Sequence, residues 1–366
     1  MFTKGFSSTL KKACHPEPRS GISFGLAARF REILTRAKRL TEGKQVQNDT
    51  IGGLRIGSKK KYICFFVLCL CMVAPAWAQP TVDADQLLDD VAVLAADTLE
   101  GRRAGSTGGE KARVYIRAAF ERIQLAAFGE GYEHPFALRG RGADAVRGVN
   151  LLGYLPGVER PDTFIVVTAH YDHLGVRGGQ IFNGADDNAS GVAGLLALAD
   201  YFSRHRPRHS ILFAALDAEE MGLRGASAFI QDPPISLDHV ALNVNMDMVS
   251  RNEKDELFAA GVFHYPFLKP YLERVAARSR IHLRFGHDGL RGAGQDWTMS
   301  SDHGPFHRAG IPFVYFGVED HADYHRPTDD FENIDPDFFI HAIATILDAV
   351  VELDAHLETI HAESNR

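Results

Sequence analysis

Two aspartates, Asp186 and Asp187, stand side by side in NGADDNASGVAG (residues 183–194), at the entrance to an apolar stretch. Adjacent carboxylates disfavour joint ionisation, so the pair asks for a compensating positive charge. Further groups able to take part in such a site close three other apolar runs. TFIVVTAHYD delivers His170 and Asp172, HSILFAALDAEE delivers Glu219 and Glu220, and ALNVNMD delivers Asp247. A divalent cation reverses the sign of carboxylate–carboxylate repulsion. A mixed His/Asp/Glu donor set suits zinc. The Glu pair also permits a division of labour, one carboxylate holding metal while its neighbour takes a proton from water. Taken singly, each residue has a plainer reading. Asp187 could be a helix N-cap, His170 a satisfied strand-end histidine, Glu219 and Glu220 a solvated first helical turn, and Asp247 a turn residue. Taken together they point to a metal site.

The elements that must position these groups alternate. Residues 83–126 read as two helices, with apolar residues at three-to-four spacing and the glycines of GRRAGSTGG between them. Strand patterns follow in GVNLLGYL, TFIVVTAH, HSILFAAL, HVALNVNMDMV and IPFVYFGVED. Helical patterns separate or follow them in SGVAGLLALADYFSR, GLRGASAFI, YPFLKPYLERVAARS and DFFIHAIATILDAVVELDAHL. Alternation of this kind predicts an α/β fold, a three-layer sandwich in which a mostly parallel mixed sheet is flanked by helices. In such folds functional groups collect at the carboxyl ends of strands, where His170, Glu219, Glu220 and Asp247 fall.

The N-terminus has a different character. Lys59, Lys60 and Lys61 precede the apolar run YICFFVLCLCMVA, and Ala76 and Ala78 then form an A-x-A arrangement. That order is the one of a secretory signal peptide over 59–78; the run is short of the about 20 residues a membrane span needs. The expectation is export, to the periplasm or outside the cell, without stable membrane insertion after cleavage. Residues 1–58 form an atypical basic extension, consistent with a translation start nearer Leu54. Residues 79–366 read as one domain, with 26 basic and 43 acidic residues and a formal charge of −17. A nucleic-acid partner would want a basic surface, so that class is disfavoured. Cys14, Cys64, Cys69 and Cys71 all precede residue 79. The remainder therefore has no disulfide framework and no thiolate metal site.

The segments TAHYDHLG, GADDNASG, DAEEMGLRGA, NMDMVS, SSDHGPFHRAGIP and YHRPTDDFENI occur in the order of motifs in the dinuclear zinc aminopeptidases of metallopeptidase family 28, which the chain resembles over roughly residues 85–355. The resemblance implies the zinc exopeptidase fold, peptide substrates and two zinc ions per chain. It implies His170 and Asp247 as ligands of one zinc, Glu220 and His325 as ligands of the other, and Asp187 as the bridging carboxylate, followed by a cis peptide. Asp186 would turn towards the loop or solvent. Glu219 would be the general base acting on a metal-bridging water, and Asp172 the acid that hydrogen-bonds His170 and fixes its tautomer. Asp302, His303 and Tyr324 are candidates to face the substrate or its oxyanion, with a helix N-cap at Ser301 or Asp302 as the alternative for SSDHGPF. Arg103 is a candidate for the cleft border. Residues 285–299, with Trp297 as a wall, are candidates for the substrate pocket. The expected activity is release of N-terminal residues from peptides. Two alternatives on the same scaffold are a carboxypeptidase, for which Arg103, Arg291 and Arg326 could grip a terminal carboxylate, and a glutaminyl cyclase-like transferase.

Overall fold

Among the described residues, nine strands hydrogen-bond into one mixed sheet. The computed structural model describes residues 80–139, 146–289 and 295–364; the basic extension at 1–58 and the segment 59–78, expected to be a signal peptide, lie outside them. Two helices lead, α1 (Ala84–Leu94) and α2 (Thr107–Ile123). Asp83 caps α1 by accepting from the Gln86 amide, and Ser106 caps α2 by accepting from that of Gly109. The apolar residues Leu87, Val91 and Leu94 recur at four-and-three spacing and are all buried.

Three strands follow: β1 (Ala126–Ala127), β2 (Glu133–Arg139) and β3 (Val146–Leu155). Strand β4 (Arg160–His170) leads into a small separate hairpin, β5 (Gly175–Arg177) and β6 (Gln180–Phe182). Next come α3 (Gly191–Arg204), β7 (His209–Leu216), α4 (Arg224–Gln231), β8 (Val240–Met246) and β9 (Glu256–Ala260). The chain continues through α5 (Lys269–Ala276), β10 (His282–Phe285), α6 (His303–Arg308) and β11 (Phe313–Gly317) to α7 (Pro336–Ala355) and α8 (Leu357–Ser364). The sheet order is β1-β3-β7-β4-β8-β11-β9-β10, with β2 on β3. Its centre, β7-β4-β8-β11, is parallel, whereas β3 joins β7 and β9 joins β11 in the antiparallel sense. The described residues belong to one compact unit, Trp77–Arg366, and no helix among them is long and apolar enough to cross a membrane.

The two faces of the sheet separate by strand alternation. Ile165, Val167 and Ala169 of β4, with Ile211, Phe213 and Ala215 of β7, enter the large core shared with α1, α2, α3 and α7. The intervening Phe164, Val166, Leu212, Ala214 and Leu216 enter a second core with Phe229 of α4 and Phe306 of α6. This is the expected three-layer arrangement. The strands β1, β2, β5, β6, β9 and β10 and helix α8 are additions to the expected plan, whereas α6 begins where the alternative helix-start reading of SSDHGPF puts it.

Register levels the strand ends. His170 lies opposite Leu216 of β7, and Thr168 opposite Asn245 of β8. Asp247, two residues past Asn245, is therefore level with His170, two residues past Thr168. Phe213 is fully buried at the middle of the large core. Phe213→Ala is expected to lower unfolding stability by about 3–5 kcal/mol through lost transfer energy and a residual cavity, measured by urea unfolding with an unchanged m-value.

Candidate metal centre

Side chains from four loops converge above the carboxyl ends of β4, β7 and β8. Nε2 of His170 lies 3.4 Å from Oδ1 of Asp187 and 3.3 Å from Oδ1 of Asp247. The second oxygen of Asp187 lies 3.1 Å from Nε2 of His325, which is also 3.5 Å from Oε2 of Glu220. Asp187 thus belongs to two donor groups at once. The structure brings His170, Asp187, Glu220, Asp247 and His325 together, with Glu219 on the wall of the same cleft. Donor–donor separations of roughly 3–3.5 Å are those around one zinc with bonds near 2.0–2.2 Å. Nε2 of His170 and Oε1 of Glu220 are buried without a hydrogen-bond partner, a costly state for groups with no ligand to serve. The donor set fits zinc on both counts.

Each loop is held by buried polar contacts. The amides of Asp186 and Asp187 both donate to Asp329, 3.0 Å to each of its carboxylate oxygens. Asn188 donates from its side-chain amide to the Met246 carbonyl at the end of β8, and its Oδ1 accepts from the Gly191 amide. A Cβ at Gly191 would stand 2.6 Å from that same carbonyl, so α3 starts against the sheet only with glycine there. The peptide between Asp187 and Asn188 is cis, as the resemblance implies. On the neighbouring loop, Asn150 of β3 accepts from the Asp217 amide and donates to the Gly225 carbonyl, closing the turn that carries the two glutamates.

Two expected roles change in detail. Asp172 does not hold His170 through its carboxylate. Nδ1 of His170 is 3.1 Å from the Asp172 main-chain carbonyl and 3.7 Å from its Oδ1. The main-chain carbonyl is thus the nearer partner of the ring nitrogen, while Oδ1 accepts from the Glu219 amide at 2.9 Å. Asp172 acts through the backbone of Glu219 as well as beside His170. Asp186 turns away from the centre but not to solvent. It is fully buried, accepts from the amide and hydroxyl of Ser250, and contacts Nε2 of His321 at 3.0 Å.

Asp302 and His303 lie beneath the centre rather than on its wall. Both are fully buried; His303 packs on Phe313 and Tyr315, and its Nε2 meets the Trp297 carbonyl at 2.8 Å. Burial lowers the His303 pKa to about 4. Burial, with Asp172 and Asp247 nearby, pushes Asp302 up to about 8. Asp302 sits at the N-cap position of α6 without making a side-chain cap bond. Tyr324 and Trp297 do line the cleft, of about 160 Å³, whereas Arg103 and Arg326 do not. Arg291 lies outside the described residues. Burial and the carboxylates of Asp187 and Asp247 raise the Tyr324 pKa, so its hydroxyl stays protonated as a donor.

The electrostatics follow from crowding. Burial raises Glu219 well above the ordinary carboxylate range; Asp247, Asp302 and Asp172 add to this, while His170 opposes it. His325 rises to about 10 through its contacts to Asp187 and Glu220. His170 is raised despite complete burial, by Asp247 and Glu219.

Three participants escaped the residue-by-residue reading. His173, the second histidine of HYDH, is buried with Nδ1 2.7 Å from Glu220 and 3.7 Å from Asp187; its position in the motif was the available signal. Asp329, in PTDD, carried no signal apart from its neighbours. Arg102 is fully buried, and its guanidinium donates to the carbonyls of Leu94, Tyr171, Asn183 and Gly184.

Against this geometry the comparisons are specific. The model of Peptidase family M28 matches residues 150–350, and the chain belongs to that family. Aminopeptidase YwaD of Bacillus subtilis is 32% identical over 189 residues, 48% of this chain and 38% of that protein. A glutamate carboxypeptidase 2 homolog of Caenorhabditis briggsae is 23% identical over 209 residues, 48% of this chain and 24% of the other. The chain thus spans between a quarter and two-fifths of the length of these curated relatives. The solved structure of a zinc aminopeptidase from Bacillus subtilis superposes with a TM-score of 0.59 at 19% identity, over 75% of this chain and 95% of that one, a likeness of fold.

Arg102→Met would strip the donor from four carbonyls around the metal loop. Each buried carbonyl left unsatisfied costs on the order of 1–3 kcal/mol, so a stability loss of at least about 3 kcal/mol is expected, read by chemical denaturation.

Proposed function

We propose that the chain is an exported zinc-dependent aminopeptidase with two zinc ions per chain. The observation that carries this reading is the single carboxylate of Asp187 shared between two donor groups, His170 with Asp247 and Glu220 with His325. These five residues would hold the ions, and zinc bound there would supply a lowered water pKa and a polarised substrate carbonyl.

The protein's own groups do the rest. Glu219, fixed through its amide by Asp172, takes the proton of the attacking water and returns it to the leaving amine. Its raised proton affinity suits that exchange better than an ordinary exposed carboxylate would. Tyr324, at the rim beside His325, would donate a hydrogen bond to the developing oxyanion.

The choice of an N-terminal residue rests on charge. Among the described residues the cleft is lined by Asp187, Glu219, Glu220, Asp247 and Asp320, and by no Lys or Arg. That surround attracts a cationic α-amine and gives a terminal carboxylate no partner, which favours the aminopeptidase over the carboxypeptidase reading. The five-ligand set likewise favours hydrolysis over a cyclase-like transferase. Export rests on the charged, apolar and small-residue order of 59–78.

Glu219→Gln is expected to reduce kcat by about 10²–10⁴-fold while zinc content, measured by mass spectrometry of the metal, stays at the wild-type level. An unchanged rate would remove Glu219 from the base role. Chromogenic aminoacyl substrates with a free amine are expected to be cleaved, with activity lost to a chelator and restored by zinc. Cleavage confined to N-blocked peptides with a C-terminal glutamate would instead establish the carboxypeptidase.

A further inference from the structure

We infer that His173 is an additional protein ligand at the Glu220–His325 side of the metal centre, so that the two metal positions are chemically unequal. The inference rests on the dinuclear reading above and adds a residue to it. His173 is 1% exposed, and neither ring nitrogen has a hydrogen-bond partner. Nδ1 stands 2.7 Å from Oε1 of Glu220 and 3.7 Å from Oδ2 of Asp187, and these three atoms form a compact donor group. At 2.7 Å a ring N–H could reach Glu220, but the N–H direction does not point at that oxygen. A buried ring nitrogen close to two carboxylates and aligned with neither has the disposition of a donor that shares a cation with them.

His325 approaches the same two carboxylates from the other side, with its ring centroid 5.9 Å from that of His173. The backbone makes room for the inner ring. Gly184 is in a left-handed conformation, φ 59°, and a Cβ there would lie 2.5 Å from the His173 ring and 2.0 Å from the Asp187 carbonyl. The first position then has one imidazole and two carboxylates, and the second has two imidazoles and two carboxylates. Imidazole suits zinc, copper and nickel, whereas oxygen donors suit manganese and magnesium. The second position should therefore hold zinc more tightly and discriminate more strongly against hard ions.

The test uses the metal-free protein refilled with cobalt(II). In the proton spectrum of the wild-type protein, each ligating histidine leaves one ring N–H to give an exchangeable, hyperfine-shifted signal. Three such signals are expected, from His170, His173 and His325, and His173→Gln should retain two. Competition with a chromophoric chelator should show one of the two zinc ions bound at least about 10-fold more weakly in His173→Gln, the other unchanged. Two shifted signals in a wild-type protein that binds two ions would overturn the His173 assignment and leave the dinuclear reading standing. A wild-type protein that binds no metal would overturn both. The wild-type spectrum decides the matter even where the variant fails to fold.

Discussion

The structure depends on the mutual repulsion of carboxylates gathered in a poorly hydrated place. Asp187, Glu219, Glu220 and Asp247 meet within one small cleft, with Asp172 and Asp302 buried behind it. Charges brought this close in a low dielectric oppose one another strongly. Part of the compensation is internal: His170, His173 and His325 are interleaved with the acids, and the raised pKa values of His170 and His325 are the counterpart of that crowding. The rest is left for a cation. The centre is therefore unfavourable alone and favourable when filled, and binding to it is linked to folding stability by mass action.

A site that repels itself needs a frame that does not yield. Here the frame is the flush ends of parallel strands and a set of buried polar bonds just outside the donors. Asp329 accepts two successive amides ahead of the cis peptide, Asn188 ties the same loop to β8, and Arg102 gathers carbonyls from α1, the end of β4 and the Asn183–Gly184 turn. Asp172 fixes the start of the glutamate turn, where Ala218 takes a left-handed conformation with φ 59°. Each of these contacts spends side-chain polarity on main-chain groups, which is how a loop becomes as rigid as a strand. Burial of Arg102 lowers its pKa to about 10, still leaving it charged at neutral pH.

Legibility in the sequence tracked the range of the interaction. The strands that fill the sheet centre, β3, β4, β7, β8 and β11, are long apolar runs whose burial on both faces writes itself into composition. The donors at their ends were visible because polar groups stood out against those runs. The outer strands β2 and β10, and the five-residue β9 between β11 and β10, are short or half-exposed, so EHPFALR, ELFAA and HLRF show no clear pattern. Asp186 and Asp172 could be placed near the centre but not oriented, since their partners, Ser250 and the Glu219 amide, lie 64 and 47 residues away. Asp302 and His303 illustrate the same point. SSDHGPF marks a helix start, but only the packing of α6 beneath β8 and β11 decides that these two residues face inward. Arg102 was illegible because a buried guanidinium looks, in sequence, like any arginine in a glycine-rich turn.

The centre is also asymmetric in its access. His170 and His173 are sealed from solvent, whereas the His325 side chain is 40% exposed and stacks on Tyr324 with ring centroids 3.9 Å apart. The open side of the cleft is thus the turn that carries these two residues, and its position is not left to the turn itself. His325 takes a left-handed backbone conformation, φ 55°. Asp323 accepts from Thr328 at 2.6 Å and from Arg251 at 2.7 Å, and its amide donates to His321. His321 in turn contacts Asp186, the neighbour of the shared Asp187. The exposed His325 and the buried carboxylate of Asp187 are consequently held by one set of hydrogen bonds. The turn at Tyr324 is thus tied, through His321 and Asp186, to the loop that places Asp187, so the same contacts hold the outer wall of the cleft and the shared donor.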